Sequence, residues 1–209
     1  MDERIIDHIV YAVPNLEEAM NWFQGVSGVR PVFGGYHMTE GTKNALINLS
    51  NGAYLEFLAV DQSNYTIEAN RWMGIDLIRE SKVTRWALKS KNLHADAKIL
   101  KAYNPEMGRL KGGQRKMTNN QMLTWELAMP LATPEIELVP FLTDWQNSDI
   151  HPTDSLEKTC TLLDLTMRHP YPGSYSDVLS AFGYKDILSK GESPEISIRI
   201  QCPKGIIEL

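Results

Sequence analysis

Hydrophobic and polar positions alternate in blocks that change period along the chain. Residues 7–13 (DHIVYAV) are apolar and β-rich, and Pro14 ends the run. Asn15 then stands where a helix N-cap is expected, with Glu18 three residues on in the capping-box pattern. Leu16, Ala19, Met20 and Phe23 follow at helical spacing, and Gly25 and Gly28 supply stop signals. Three strand candidates come next, at 30–34, 44–49 and 53–60, the last two joined by the hairpin dipeptide Asn51-Gly52. The predicted unit is β-α-β-β-β.

The same order recurs. Residues 83–89 (VTRWALK) read as a strand, and Asn92 caps a helix carrying Leu93, Ala97 and Leu100. Strand candidates follow at 109–116, 121–129 and 135–141. Setting Asn15-Leu16 against Asn92-Leu93 aligns the two copies. A shorter third copy has a strand at 161–168 and a helix opened by Ser174 and Asp177. That helix bears Tyr175, Val178, Leu179 and Phe182, and Gly183 ends it; strands at 186–189, 195–201 and 206–209 complete the copy. The expected organisation is α+β: paired βαβββ modules over 5–155, then a third, βαβββ-like module over 156–209. Within the pair, copy one spans 5–61, a connecting helix 65–81, and copy two 83–145. The connecting helix is patterned by Ile67, Trp72, Ile75 and Ile78, and 144–155, with His151-Pro152, reads as a loop.

Composition narrows the classes. Of 209 residues, 43% are apolar and 22% charged, as in ordinary globular proteins, so a sizeable core is available. The formal net charge is -5 with no basic stripe, which argues against a nucleic-acid partner. No apolar run approaches the roughly 18 residues of a membrane span, and the N-terminus lacks a signal-peptide pattern. Cys160 and Cys202 have no metal-binding spacing, and two lone cysteines without a signal read as reduced thiols in a cytoplasmic protein.

The stretch DHIVYAVPNLEEAMNWF, followed by GTKNALINLSNGAYLEFLAVD, resembles the glyoxalase-like branch of the vicinal oxygen chelate superfamily. The likeness continues through LTWELAMP and VPFLTDW to His151-Pro152, and CPKGIIEL resembles the glycine-turn-strand that closes many such modules. The resemblance implies paired modules forming a cupped mixed sheet around a small-molecule site. It also implies a divalent metal in the cup, held from the first and last strands of each module. In copy one those positions hold His8 and Glu56. The superfamily hosts isomerases, dioxygenases, metal-dependent resistance enzymes and binding proteins, so fold alone does not select among them.

Strand alternation supports the same two residues. His8 shares a face with Val10 and Ala12, opposite the apolar Ile9, Tyr11 and Val13; Glu56 shares one with Tyr54 and Leu58. A carboxylate in so apolar a strand needs a partner. Imidazole plus carboxylate is a half-site for Fe, Mn, Ni or Zn, although the pair could equally bond to each other. Copy two departs from the pattern: Arg85 matches His8, and either Pro140 or Glu137 matches Glu56. Arg85 could pair with Glu56 or hold a substrate carboxylate. In copy three, Glu208 aligns with Glu56 and is a third metal-ligand candidate, or an exposed strand end; Asp164 or Thr166 falls near the His8 position.

Asn44 shares a strand face with Leu46 and Asn48 and is a candidate polar group of the cup. His37, in GGYHMTEG, could sit on a lid or on a surface loop. Trp125, Phe141 and Trp145 could wall a pocket or simply fill a core. His151 could cover the mouth or make a turn. The basic stretch KGGQRK reads as a hairpin turn. No nucleophile elbow, P-loop or dinucleotide fingerprint is present. The leading expectation is a metal-dependent lyase, isomerase or dioxygenase acting on a small oxygenated organic molecule. The alternative is a metal-free binding protein of the same fold. A homodimer could complete the odd third module.

Overall fold

Two strand-rich modules of the chain join into one eight-stranded mixed sheet. The computed structural model describes residues 4–67, 71–116, 122–145, 148 and 150–209. The first module comprises β1 (Ile6–Ala12), α1 (Leu16–Ser27), β2 (Val32–His37), β3 (Thr42–Asn48) and β4 (Tyr54–Val60). The second comprises β5 (Lys82–Lys89), α2 (Leu93–Tyr103), β6 (Leu110–Lys116), β7 (Met122–Ala128) and β8 (Phe141–Asp144). The sheet order is β2-β3-β4-β1-β5-β8-β7-β6, so the second module repeats the first in reverse across the central β1–β5 pair.

Local chemistry sets these elements. Asn15 is extended, and its side chain accepts from the backbone N–H groups of Glu17 and Glu18 while its amide donates to Glu18. That satisfies donors otherwise orphaned at a helix start. α1 buries Leu16, Ala19, Met20 and Phe23 on one face and ends at Gly28 in the left-handed conformation; Gly25 lies inside the helix and does not stop it. α2 is capped in the same way by Asn92, which accepts from Ala95 N–H.

The register reveals a pseudo-twofold axis between β1 and β5. His8 faces Ala87 and Val10 faces Arg85, so His8 and Arg85 occupy equivalent places. β1 takes two steps, Ile6 to His8, while β5 takes one, Leu88 to Ala87; Asp7 is therefore the extra residue of a β-bulge. Thr84 is its counterpart on β5. Val10 lies beside Glu56 on the parallel β1–β4 pair, and Ala87 beside Phe141 on β5–β8. Phe141 is thus the mate of Glu56, correcting the match to Pro140 or Glu137. Residues 135–140 form no ladder. Their polar groups are engaged elsewhere: Glu137 N–H donates to Thr84 O, and Leu138 O accepts from the Trp86 indole.

The outer strands β2 and β6 approach each other, with β6 tied by an ion pair from Lys111 to Glu40 in the β2–β3 turn and a hydrogen bond from Arg115 to Asn44 on β3, which curls the sheet into a nearly closed cup. The outer face packs on α1 and α2 through Ile9, Phe57, Trp86 and Leu88. Inside the cup, Val10, Ala12, Leu58, Ala87, Leu127 and Phe141 form a second apolar cluster. KGGQRK, expected as a turn, lies within β6.

The cup is plugged at one side by a 3-10 segment, Trp72–Leu77, where a continuous helix over 65–81 was expected; residues 68–70 lie outside the described residues. Met73 and Gly74 have φ of 56° and 59°, which breaks helical propagation and turns Met73, Ile75 and Ile78 toward the cup interior. A Cβ on Gly74 would strike the backbone of Thr133 and Pro134. Gly74→Ala is therefore expected to cost about 2 kcal/mol from left-handed strain plus displacement of the 133–134 backbone. A fall in the urea midpoint with an unchanged m-value would register it.

The rest of the chain forms a four-stranded sheet, order β10-β9-β11-β12, from β9 (Thr161–His169), α3 (Ser176–Phe182), β10 (Leu188–Lys190), β11 (Glu195–Cys202) and β12 (Gly205–Glu208). The element order is again β-α-β-β-β, but the pairing differs. Here the first strand pairs parallel with the second and antiparallel with the third, whereas in the other two sets it pairs parallel with the fourth. This sheet covers the outside of the larger one: the Trp86 and Tyr184 rings meet edge-on at 4.9 Å, and Leu162 N–H donates to Leu49 O. Cys160 and Cys202 are buried free thiols with their sulfurs 3.1 Å apart. Among the described residues, no helix is long and apolar enough to cross a membrane.

Candidate functional site

The bulge at Asp7 organises the polar end of the cup. Strand alternation alone would turn Asp7 away from His8; the extra residue brings the carboxylate round, and Asp7 Oδ2 lies 2.8 Å from His8 Nδ1. Asp7 Oδ1 meets His151 Nε2 at 2.9 Å and accepts from Trp145 Nε1 at 3.0 Å, with Lys89 Nζ at 3.9 Å. Burial is the largest influence on this carboxyl and pushes its pKa up. Hydrogen bonds and charge from His151 and His8 outweigh it and hold Asp7 well below the usual carboxylate range. An ionised carboxylate only accepts, so His8 carries its proton on Nδ1. In neutral His8 the Nε2 lone pair then points into the cup, 3.8 Å from Glu56 Oε2.

Glu56 is fixed from the opposite side. Its Oε1 accepts from Asn44 Nδ2 at 2.6 Å, and Asn44 Oδ1 accepts from Arg115 at 3.3 Å. Arg115 and Asn44 occupy the space that a Cβ on Gly34 would fill, so a residue without a side chain is needed there. His37 Nδ1 bonds Thr42 Oγ1 at 2.9 Å, and its Nε2 lies 3.4 Å from Asn44 Nδ2. Burial lowers the His37 pKa to about 4, so this ring is neutral at pH 7. Burial also lowers Arg115, which still remains a cation, and raises Tyr54 well above the usual phenol value with help from Asp7 and Glu56.

The walls are aromatic. Tyr54 stacks on His8 at 4.7 Å and 16°, and Phe141 meets the same ring edge-on at 5.2 Å. Trp125 and Trp145 lie 5.6 Å apart, and His37 sits edge-on to Trp72 and Trp125. The enclosed cavity is about 30 Å³, room for roughly two waters. A ligand of several heavy atoms therefore needs the walls to move apart.

Of the residues singled out from the sequence, His8, Glu56, Asn44, His37, Trp125, Phe141 and Trp145 line this one cavity. His37 belongs to β2 and not to a loop. His151 stands behind Asp7, capping the 3-10 segment Pro152–Ser155. Two residues are elsewhere. Arg85 is wholly buried but turns out of the cavity to donate to the carbonyls of Thr84, Glu135, Thr133 and Leu131; it neither pairs with Glu56 nor faces a ligand. Glu208 is exposed on β12, opposite Arg199 in the smaller sheet, because copy three does not join the cup. Asp7, Tyr54, Trp72, Arg115 and Thr143 were not foreseen. The face of β4 shared with Glu56 already pointed to Tyr54.

A metal in this cup would use the first- and last-strand positions of both modules. Those four places hold His8, Glu56, Arg85 and Phe141, and the last two cannot ligate. Catalytic metals ordinarily take three protein ligands. Among the described residues no three of His, Cys, Asp and Glu come together to hold an ion. The residues present do not fit a protein-held divalent metal.

A family model described as a glyoxalase-like domain matches residues 6–182. A hypothetical protein from Staphylococcus aureus is similar over 97% of both chains, with 16% identity and a TM-score of 0.67. A mutant 4-hydroxymandelate synthase from Streptomyces coelicolor aligns with 100% of this chain and 63% of its own, with 11% identity and a TM-score of 0.52. Methylmalonyl-CoA epimerase from Mycobacterium tuberculosis aligns with 66% of this chain and 86% of its own, with 17% identity and a TM-score of 0.42. At these identities the likeness concerns the fold alone. No curated protein matches the sequence. With a family match over most of its length and the cupped sheet in place, the chain belongs to the glyoxalase-like domain family and has the vicinal oxygen chelate fold.

Proposed function

We propose that this chain binds a small oxygenated organic molecule in the cup, without a metal held by its own side chains. The observation that carries the reading is the pair Arg85 and Phe141 at the second module's ligand positions. The first module keeps its polar groups, His8 and Glu56, but they face an aromatic wall and a buried arginine. Such a mixture of apolar surface and a few convergent polar atoms is what small-molecule sites offer. Both halves of the cup come from one chain, so a homodimer is not needed to complete it.

Metal analysis of protein purified without chelator tests this reading. Far less than one equivalent of Fe, Mn, Ni or Zn is expected. A metal at 100 times its Kd would add about 2.7 kcal/mol, or roughly 5–10 °C in Tm for a chain of this size. The expected shift with each ion is under about 1 °C on the same scale. Stoichiometric metal that disappears in His8→Ala would overturn the proposal.

A further inference from the structure

Resting on that reading, we infer that the cup's ligand is a compact hydroxy acid, its carboxylate held by Arg115, Thr143 and Trp72 and its hydroxyl directed at His8 and Glu56. Two polar atoms of the cavity wall stand without a partner among the described residues: Thr143 Oγ1 and Trp72 Nε1, both buried. Thr143 is 1% exposed and shares the cup face of β8 with Phe141. Leaving a buried polar group unpaired costs about 1–3 kcal/mol, a penalty that an incoming acceptor would remove. Arg115, buried in the same wall, adds a cation, and among the described residues its guanidinium makes one hydrogen bond, to Asn44. Two donors without acceptors, lining the same cavity as a buried cation, select an oxyanion.

The same cavity also holds groups of opposite character. With Asp7 Oδ2 on Nδ1, the neutral form of His8 has its lone pair on Nε2, and Glu56 Oε2 is an acceptor 3.8 Å from that nitrogen. Glu56 would repel a second carboxylate but accepts a hydroxyl proton. A ligand carrying an oxyanion at one end and a hydroxyl on the adjoining carbon satisfies both sets of groups at once. Even the smallest such acid has more heavy atoms than this cavity of about 30 Å³ holds, so its entry requires the walls to move apart. Asp7 is a positioning residue here: it touches no ligand and acts through the His8 ring.

Iodoacetate tests the assignment without knowledge of the natural ligand. It carries a carboxylate one bond from an electrophilic carbon, so a bound molecule presents that carbon where the hydroxyl-bearing carbon would lie. The Nε2 lone pair of His8 forms the N–C bond as the C–I bond breaks and iodide leaves with its electron pair. Iodoacetamide has the same carbon but no charge, and the exposed His94 gives the reference rate for each reagent. Peptide mapping should show His8 carboxymethylated, with an iodoacetate-over-iodoacetamide preference at least about tenfold greater than at His94, the factor a charge-assisted hydrogen bond supplies. Arg115→Gln should abolish the preference. Thr143→Val removes an orphaned hydroxyl, so the fold is kept, and it should slow iodoacetate labelling about fivefold, one hydrogen bond's worth. Equal labelling of His8 by both reagents would overturn the hydroxy-acid assignment while leaving a small-molecule cup. Failure of both reagents to reach His8 would overturn the assignment and the cup reading together. An unchanged rate in Thr143→Val would remove that hydroxyl from the oxyanion site and overturn the donor set.

Discussion

Arg85→Ala is expected to destabilise the protein by about 3–5 kcal/mol, because it deletes several hydrogen bonds from one charged donor, each worth about 1.5–3 kcal/mol when fully buried. The guanidinium is wholly buried in β5 and donates to the carbonyls of Thr133 at 2.8 Å, Leu131 at 3.4 Å, Thr84 at 2.8 Å and Glu135. Burial lowers its pKa to about 10, opposed by Glu137 and Glu135, so the group is charged at neutral pH. The segment it clamps supports the plug of the cup, since Gly74 packs on Thr133 and Pro134. Alanine would take a donor from the part-buried carbonyls of Leu131, Thr133 and Glu135, while Thr84 O keeps the Glu137 N–H. The matching fall in Tm is roughly 6–20 °C for a chain of this size. Arg85→Lys should recover only part of it, because an ammonium cannot fork to carbonyls on several residues. Thermal and urea unfolding of the three proteins measure this directly. A Tm within about 2 °C of the parent for Arg85→Ala would show that the clamp contributes nothing, on the same scale.

Arg85 also shows how far the sequence leads. Aligning Asn15 with Asn92 put Arg85 at the place of His8, and the register confirms the equivalence. What one-dimensional alignment lacked was the direction of a long side chain. Arginine reaches far enough to leave its own strand face and find carbonyls on 131–135. Helix caps, the β-α-β-β-β order and the inward faces of β1 and β4 depend on neighbours close in sequence, so they were legible. Asp7 was hidden because a bulge overrides alternation, and no residue type marks a bulge in β1. Arg115 was hidden for a different reason: two glycines in KGGQRK read as a turn, but they lie within β6, where Gly113 has Trp125 directly across. Glu208 failed on topology. CPKGIIEL does form a closing hairpin, but β9 chooses β10 and β11 as neighbours, and nothing local in the sequence records that choice.

The second large effect is expected on acidification. His37 is buried in the cup wall with its pKa lowered to about 4 from 6.5, burial being the main cause. Arg115 and His8 also lower it, while Glu56 and Glu40 raise it. As pH falls from 6.5 toward 4, the unfolded chain takes up a proton that the folded protein refuses, so stability declines across that window. A shift of this size corresponds to about 3 kcal/mol. Asp7 acts in a separate window. Its folded pKa is depressed, so its stabilisation is intact above the ordinary carboxylate pKa and is lost only as the pH falls below roughly 4. His37→Gln removes the histidine term. The variant should be less stable than the parent at pH 7 by about 1 kcal/mol, for the lost bond to Thr42, and more stable at pH 4.5. Urea unfolding at pH 7.0, 5.5 and 4.5 would show the two curves crossing. Parallel curves would mean that His37 holds its proton in the folded protein. Its positive ring would then be a second counter-charge beside Glu56, and the acceptor character of Glu56, on which the proposed hydroxyl contact depends, would be weakened.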